Sequence, residues 1–289
     1  MKRLMMKGFL TVGGMLLSAV LAFAGEGQFV SNGVKLQFLE SGIPAGEPVI
    51  LVHGFAVNAT LQWSLPGITR TLSDRYRVIQ FDNRGHGRSE RPKEADQYGM
   101  EMVHDIARLM DHLQIKQAHI VGYSMGAFLT HKFAATYPDR VKSIVLGGAG
   151  WLRDGQATDI MDEISESLRT RKSLEPLFRA LHPPGARPIT PQALEASSKM
   201  ALLINDPVAL SHVAKGMKQL KLNEDEMKSV KAPTLCIVGE RDPLCETARL
   251  LDGQRPRLKM HYIHGAHHMN AFELPVFKEC ILAFLKEQM

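Results

Sequence analysis

Gly122-Tyr123-Ser124-Met125-Gly126 sets a hydroxyl between two glycines, directly after an apolar run and directly before a helical pattern. G-x-S-x-G in that setting is a serine on a sharp strand-to-helix turn, raised as a nucleophile. Such a turn is tight and its backbone strained, so bulk is not tolerated two residues away. Gly122 and Gly126 meet that need, and Ala127 keeps the next contact small. The Met125 N–H then stands at a helix N-terminus, where it stabilises a developing oxyanion. A serine hydroxyl is a weak nucleophile, so a base held by a third group has to accompany it.

After a nucleophile of this kind the acid and then the histidine follow in chain order. Gly239-Glu240-Arg241-Asp242-Pro243 lies just past a later apolar run and offers Asp242 as the acid, with Glu240 as its rival. The run ending at Gly147 is followed by Gly148-Ala149-Gly150, without a carboxylate. The last loop reads His264-Gly265-Ala266-His267-His268-Met269-Asn270, and position alone does not separate His267 from His268 as the base. With His261, these histidines also invite a metal reading. Spacing of three along a strand turns side chains to opposite faces, and H-E-x-x-H is absent. We therefore expect no metal and no cofactor.

The elements that must position these groups alternate. Apolar runs at Val49–Val52, Arg77–Phe81, Ala118–Gly122, Ser143–Gly147, Thr234–Gly239 and Leu258–Ile263 read as strands. Helical patterns cover Tyr98–Leu113, Met125–Ala135 and Leu274–Glu287. Alternation of this kind predicts an α/β fold, a mostly parallel, doubly wound sheet covered on both faces. Gly27–Val30 and Val34–Glu40 predict an antiparallel lead-in. Residues 151–231 break the pattern with helical segments at Asp159–Arg171, Pro191–Ile204 and Pro207–Leu220. They predict a helical cap inserted at the carboxyl edge of the sheet, with residues 25–150 and 232–289 as the core. Ile160, Ile164, Leu168, Leu202, Leu203 and Leu210 are expected to pack that cap onto the core.

From about Gly27 to Phe284 the chain resembles the α/β-hydrolase superfamily in its esterase and lipase-like branch. The C-terminal pattern of that family, roughly G-x-G-H, four residues, then E-x-P, fits Gly265-Ala266-His267-His268 followed by Glu273-Leu274-Pro275. The resemblance assigns the base to His268 and puts His267 where a glycine is usual. His53-Gly54-Phe55 resembles the motif whose following N–H supplies the second oxyanion donor, which assigns that role to Phe55. Asp82-Asn83-Arg84-Gly85-His86-Gly87-Arg88-Ser89 resembles the D-x-R-G-x-G-x-S loop of the family, read as shaping the edge of the site, and Trp63 falls where many relatives have tryptophan. The resemblance implies a serine hydrolase acting on a small-molecule carboxylic ester. Carbon–carbon bond hydrolysis, cofactor-free perhydrolysis, thioester or amide cleavage, and a non-catalytic small-ligand sensor use the same pattern. A serine nucleophile argues against epoxide and haloalkane chemistry, which use aspartate.

The N-terminus is of another kind. Lys2, Arg3 and Lys7 precede the apolar stretch Gly8–Leu21, and Ala22-Phe23-Ala24 ends in a small-x-small cleavage site before Gly25. Residues 1–24 read as a signal peptide. The apolar stretch is shorter than the ~20 residues of a membrane span, so no stable membrane span is expected after cleavage, and the protein is expected in the periplasm or secreted. Removing those three cations from the formal charge of +5 leaves +2. The basic balance is therefore no argument for a nucleic-acid partner. Cys236, Cys245 and Cys280 are an odd set, open equally to one bridge or to three thiols.

Overall fold

The computed structural model describes residues 23–155 and 158–289. The greater part of the expected signal peptide, residues 1–22, lies outside the described residues. Eight strands form one sheet: β1 (Phe23–Ser31), β2 (Val34–Gly42), β3 (Pro48–Val52), β4 (Arg77–Phe81), β5 (Ala118–Tyr123), β6 (Val141–Gly147), β7 (Thr234–Gly239) and β8 (Leu258–Ile263). Their order is β1-β2-β4-β3-β5-β6-β7-β8. The pairs β1–β2 and β2–β4 are antiparallel, and every later pair is parallel. This is the mostly parallel sheet with an antiparallel lead-in that the sequence predicts.

Alternation along the central strands splits the core in two. Ile50, Val52, Ile79, Phe81, Ile120, Ile144 and Leu146 face one layer. Helices α2 (Met100–His112), α3 (Met125–Thr136) and α9 (Cys245–Leu251) cover that face. Val49, Leu51, Val78, Val121, Val145 and Ile237 face the other, covered by α1 (Ile68–Ser73) and α10 (Pro275–Lys286). With both faces buried, these strands read as continuous apolar runs, and each fully buried Val, Leu or Ile contributes about 1.5–3 kcal/mol.

Between β6 and β7 stand α4 (Thr158–Arg171), α5 (Glu175–Ala180), α6 (Pro191–Leu202), α7 (Pro207–Gly216) and α8 (Glu224–Ser229). Thr190 and Asp206 cap α6 and α7 by accepting the Ala193 and Ala209 N–H groups. The expected single helix Pro207–Leu220 ends at Gly216 and continues as a 3₁₀ turn, Met217–Leu220. The packing departs from expectation as well. Ile164, Leu168, Leu174, Leu210 and Ala214 bury one another in a small cluster of their own, with Phe55 and Met161 packed against both it and the main core, into which α7 also sends Ala209 and Val213. Leu203, expected to pack inward, is 83% exposed at the end of α6. Helical spacing marks a face, and the last turn of a helix can carry that face past its neighbour. The helices α1, α5, α8 and α9 leave no periodic mark in the sequence, because six or seven residues hold too few turns for a period to register.

Candidate active site

Ser124 stands between the end of β5 and the start of α3, with φ 55° and ψ −119°. A non-glycine residue in that region stores about 1–3 kcal/mol of strain. The turn is held by close backbone approach. A Cβ at Gly122 would lie 2.1 Å from the Gly126 carbonyl oxygen, and one at Gly126 would lie 2.0 Å from that of Val52. Any side chain at either position would push the elbow off the sheet.

His268 and Asp242 arrive from the loops after β8 and β7. The Asp242 carboxylate can only accept, so His268 Nδ1 donates to its Oδ2 at 2.8 Å. Nε2 is then left to accept the Ser124 hydroxyl at 2.9 Å. The other Asp242 oxygen accepts the Leu244 N–H at 2.8 Å, which fixes the carboxylate. His268 and Asp242 are both buried, and Ser124 is half-buried. Of the rivals, Glu240 pairs with His264 at 2.7 Å on an exposed surface. His267 turns its Nδ1 back to the Met269 N–H at 3.3 Å and makes no bond to Ser124.

The His53-Gly54-Phe55 segment is held from below by neutral imidazoles. His53 Nδ1 donates to the Gly54 carbonyl at 2.7 Å, and its Nε2 accepts the Asn83 N–H at 2.9 Å. His86 Nε2 accepts the Ala56 N–H at 3.3 Å, with its Nδ1 facing the Arg84 carbonyl at 3.1 Å. Both rings are fully buried. Burial lowers His53 to about 4 and His86 to about 3. Asp82 ties the same loop down by accepting the Ala59 and Arg88 N–H groups. Among the described residues, neither the Phe55 nor the Met125 N–H donates to a protein acceptor. Both remain available beside Ser124.

Tyr123 is a residue the sequence did not single out. It occupies a variable position of G-x-S-x-G, so nothing in the motif marks it. Its hydroxyl donates to the His268 carbonyl at 2.6 Å, and its ring lies 5.4 Å from the imidazole. Burial keeps its phenol protonated well above the usual range. Trp63 is fully buried against the α1 side of the sheet. All three cysteines are free thiols, Cys236 and Cys245 buried and Cys280 half-buried.

Buried neutral histidines have a cost in acid. His131, also fully buried, is lowered to about 3. Unfolded histidine titrates near 6.5. Below that pH the unfolded chain takes up protons that the folded chain refuses, so stability is full above about 6.5 and falls as pH drops toward the folded values. The loss is about 1.4 kcal/mol per pH unit for each such histidine. We expect the folded state to be on the order of 5 kcal/mol less stable at pH 5 than at pH 7.5. Thermal melts across that range check this, and a flat melting temperature refutes it.

Residues 47–168 match a family described as the α/β hydrolase fold. A dihydrolipoyllysine-residue acetyltransferase component of the acetoin cleaving system of Pseudomonas putida is 28% identical over 262 residues, 89% of this chain and 68% of that one. Lipase 1 of Psychrobacter immobilis is 28% identical over 261 residues, 84% of this chain and 78% of the lipase. The alignments to the first three curated relatives span 42%, 68% and 20% of their lengths. Among solved structures, an α/β hydrolase enzyme from a deep-sea metagenome library superposes with a TM-score of 0.76 at 21% identity, over 90% of this chain and 97% of that one.

Proposed function

We propose that the chain, whose residues 47–168 match the α/β hydrolase fold family, is an exported serine hydrolase that cleaves a carboxylic ester through an acyl-enzyme on Ser124. The observation that carries this reading is the unbroken hydrogen-bond line from Asp242 through His268 to Ser124. A relative named as a lipase supports the ester preference.

In this reading Ser124 Oγ attacks the ester carbonyl carbon and its proton passes to His268 Nε2. Asp242 keeps the imidazole in the right tautomer and stabilises the imidazolium. The Phe55 and Met125 N–H groups bind the oxyanion. His53 and His86, neutral at working pH, aim the Phe55–Ala56 segment. When the tetrahedral intermediate collapses, His268 returns the proton to the leaving oxygen and the alcohol departs. Water then repeats the sequence on the acyl-enzyme, releasing the carboxylic acid. No metal or cofactor has a part in these steps.

The helices α4 to α7 act as the cap. Leu177, Leu181 and Met200 share cavity walls with Ser124, so the cap narrows access and excludes water from the reacting atoms. The experiment that tests the proposal is reaction with a fluorophosphonate probe alongside a panel of short-chain p-nitrophenyl esters. Labelling at Ser124 with ester turnover is expected. A chain that neither labels nor turns over any ester would be a binding protein on a hydrolase scaffold.

Export is part of the proposal. Cleavage after Ala24 would trim two residues from β1 and leave its pairing intact from Gly25↔Glu40 to Ser31↔Val34. Mass spectrometry of protein recovered from the periplasm or medium of a bacterial host is expected to give Gly25 as the first residue. A membrane-held chain beginning at Met1 would replace export by anchoring.

A further inference from the structure

Two cavities meet at Ser124. The larger, about 420 Å³, is lined by Tyr123 and His268 and also by Leu61, Met200, Ile204 and Met269. The smaller, about 300 Å³, runs among Phe128, Met161, Ile164, Met217 and Leu244. Phe55, Leu177 and Leu181 border both and form the partition between them.

Resting on the serine-hydrolase reading, we propose that the smaller cavity takes the acyl half of a neutral ester and the larger takes its leaving alcohol. The group that protonates the leaving oxygen must reach it, and His268 borders the larger cavity and not the smaller. The same space must admit the water that His268 activates once the alcohol has gone, while the acyl group still occupies its own pocket on Ser124 Oγ. Only the larger cavity lets departure and water entry follow one path.

The walls add a size rule. In the smaller cavity every apolar lining side chain is buried or half-buried, and Glu246 is its one exposed lining residue. Around the larger cavity Leu61, Met200, Ile204 and Met269 are 37%, 72%, 44% and 48% exposed. The acyl side is therefore closed and the alcohol side opens to solvent through an apolar mouth. The substrate class is an ester of a short to medium, uncharged acyl chain with an apolar alcohol of loosely limited length. An acyl chain ending in a carboxylate would meet the like charge of Glu246.

The test uses two ester series on the intact protein, ethyl esters of lengthening acyl chain and butyrates of lengthening alkyl alcohol. For the wild type, kcat/KM is expected to drop at least about tenfold beyond a limiting acyl length and to change less than that along the alcohol series. Ala180→Phe narrows the smaller cavity and Ser197→Phe the larger. Ala180→Phe is expected to shorten the acyl limit and to slow hydrolysis of a preformed butyryl-enzyme, leaving the alcohol ranking in place. Ser197→Phe is expected to penalise long alcohols about tenfold and to slow butyryl-enzyme hydrolysis less than Ala180→Phe does, because a water needs far less of the larger cavity than an alcohol. Met161→Trp, within α4, is the second variant should Ala180→Phe fail to fold. Crossed effects would reverse the assignment, and equal effects on both series would overturn the division into two subsites. Absence of any covalent adduct on Ser124 would instead remove the proposed function itself, so the two failures are distinct.

Discussion

Ser124→Ala is expected to lower kcat by about 10⁴-fold or more and to abolish labelling by a fluorophosphonate. Removing the oxygen leaves His268 with no hydroxyl to activate, and no other serine of the described residues bonds to its Nε2. The protein should fold, because one hydroxyl is lost at a half-buried position and no core volume goes with it. The strained backbone at φ 55° adds a second readout. Ser124→Gly should be equally inactive, yet melt higher than Ser124→Ala, because glycine adopts that region without the penalty borne by a Cβ. Steady-state kinetics and thermal melts of the two variants decide both points. Adduct formation at another serine in Ser124→Ala would move the nucleophile elsewhere.

The second large effect separates two adjacent histidines. His268→Ala should lose about 10⁴-fold or more in kcat, whereas His267→Ala should retain most of the activity. His267 accepts a backbone N–H two residues on and makes no bond to Ser124, so its loss should show mainly as looser ordering of the His267–Asn270 turn. Measuring kcat for both variants suffices, and the reverse ranking would reassign the base. Rescue of His268→Ala by added imidazole would show that the missing function is proton transfer.

Which of these groups can be read in the chain depends on whether a residue is set by local pattern or by an encounter across the fold. Gly122 and Gly126 are dictated by contacts within a few ångströms of the turn itself, so the motif exposes them. The strands are legible because burial on both faces gives unbroken apolar runs. Asp242 against Glu240, and His268 against His267, are a different matter. Neighbours in sequence leave a loop in different directions, and the choice rests on which one meets a partner from 26 or 144 residues away. Resemblance supplied the choice of His268, which spacing could not. Tyr123 and His86 gave no sign of their contacts, since a tyrosine at a variable motif position and one buried histidine among 12 look like ordinary core residues. The insertion was visible as an absence of strands. Its private cluster was not, because periodicity reports that a helix has an apolar face and not what that face meets.

The order of strands has a consequence for the birth of activity. Ser124 follows β5 near the middle of the sheet, while Asp242 and His268 follow β7 and β8 at its far edge, the last two strands to be synthesised. No fragment ending before β8 holds the three groups together, and parallel pairing over such separations is slow to form. A nascent chain is thus expected to be chemically silent. Hydrolytic power should emerge with the final docking of the C-terminal edge, which makes turnover a reporter of the last step of folding.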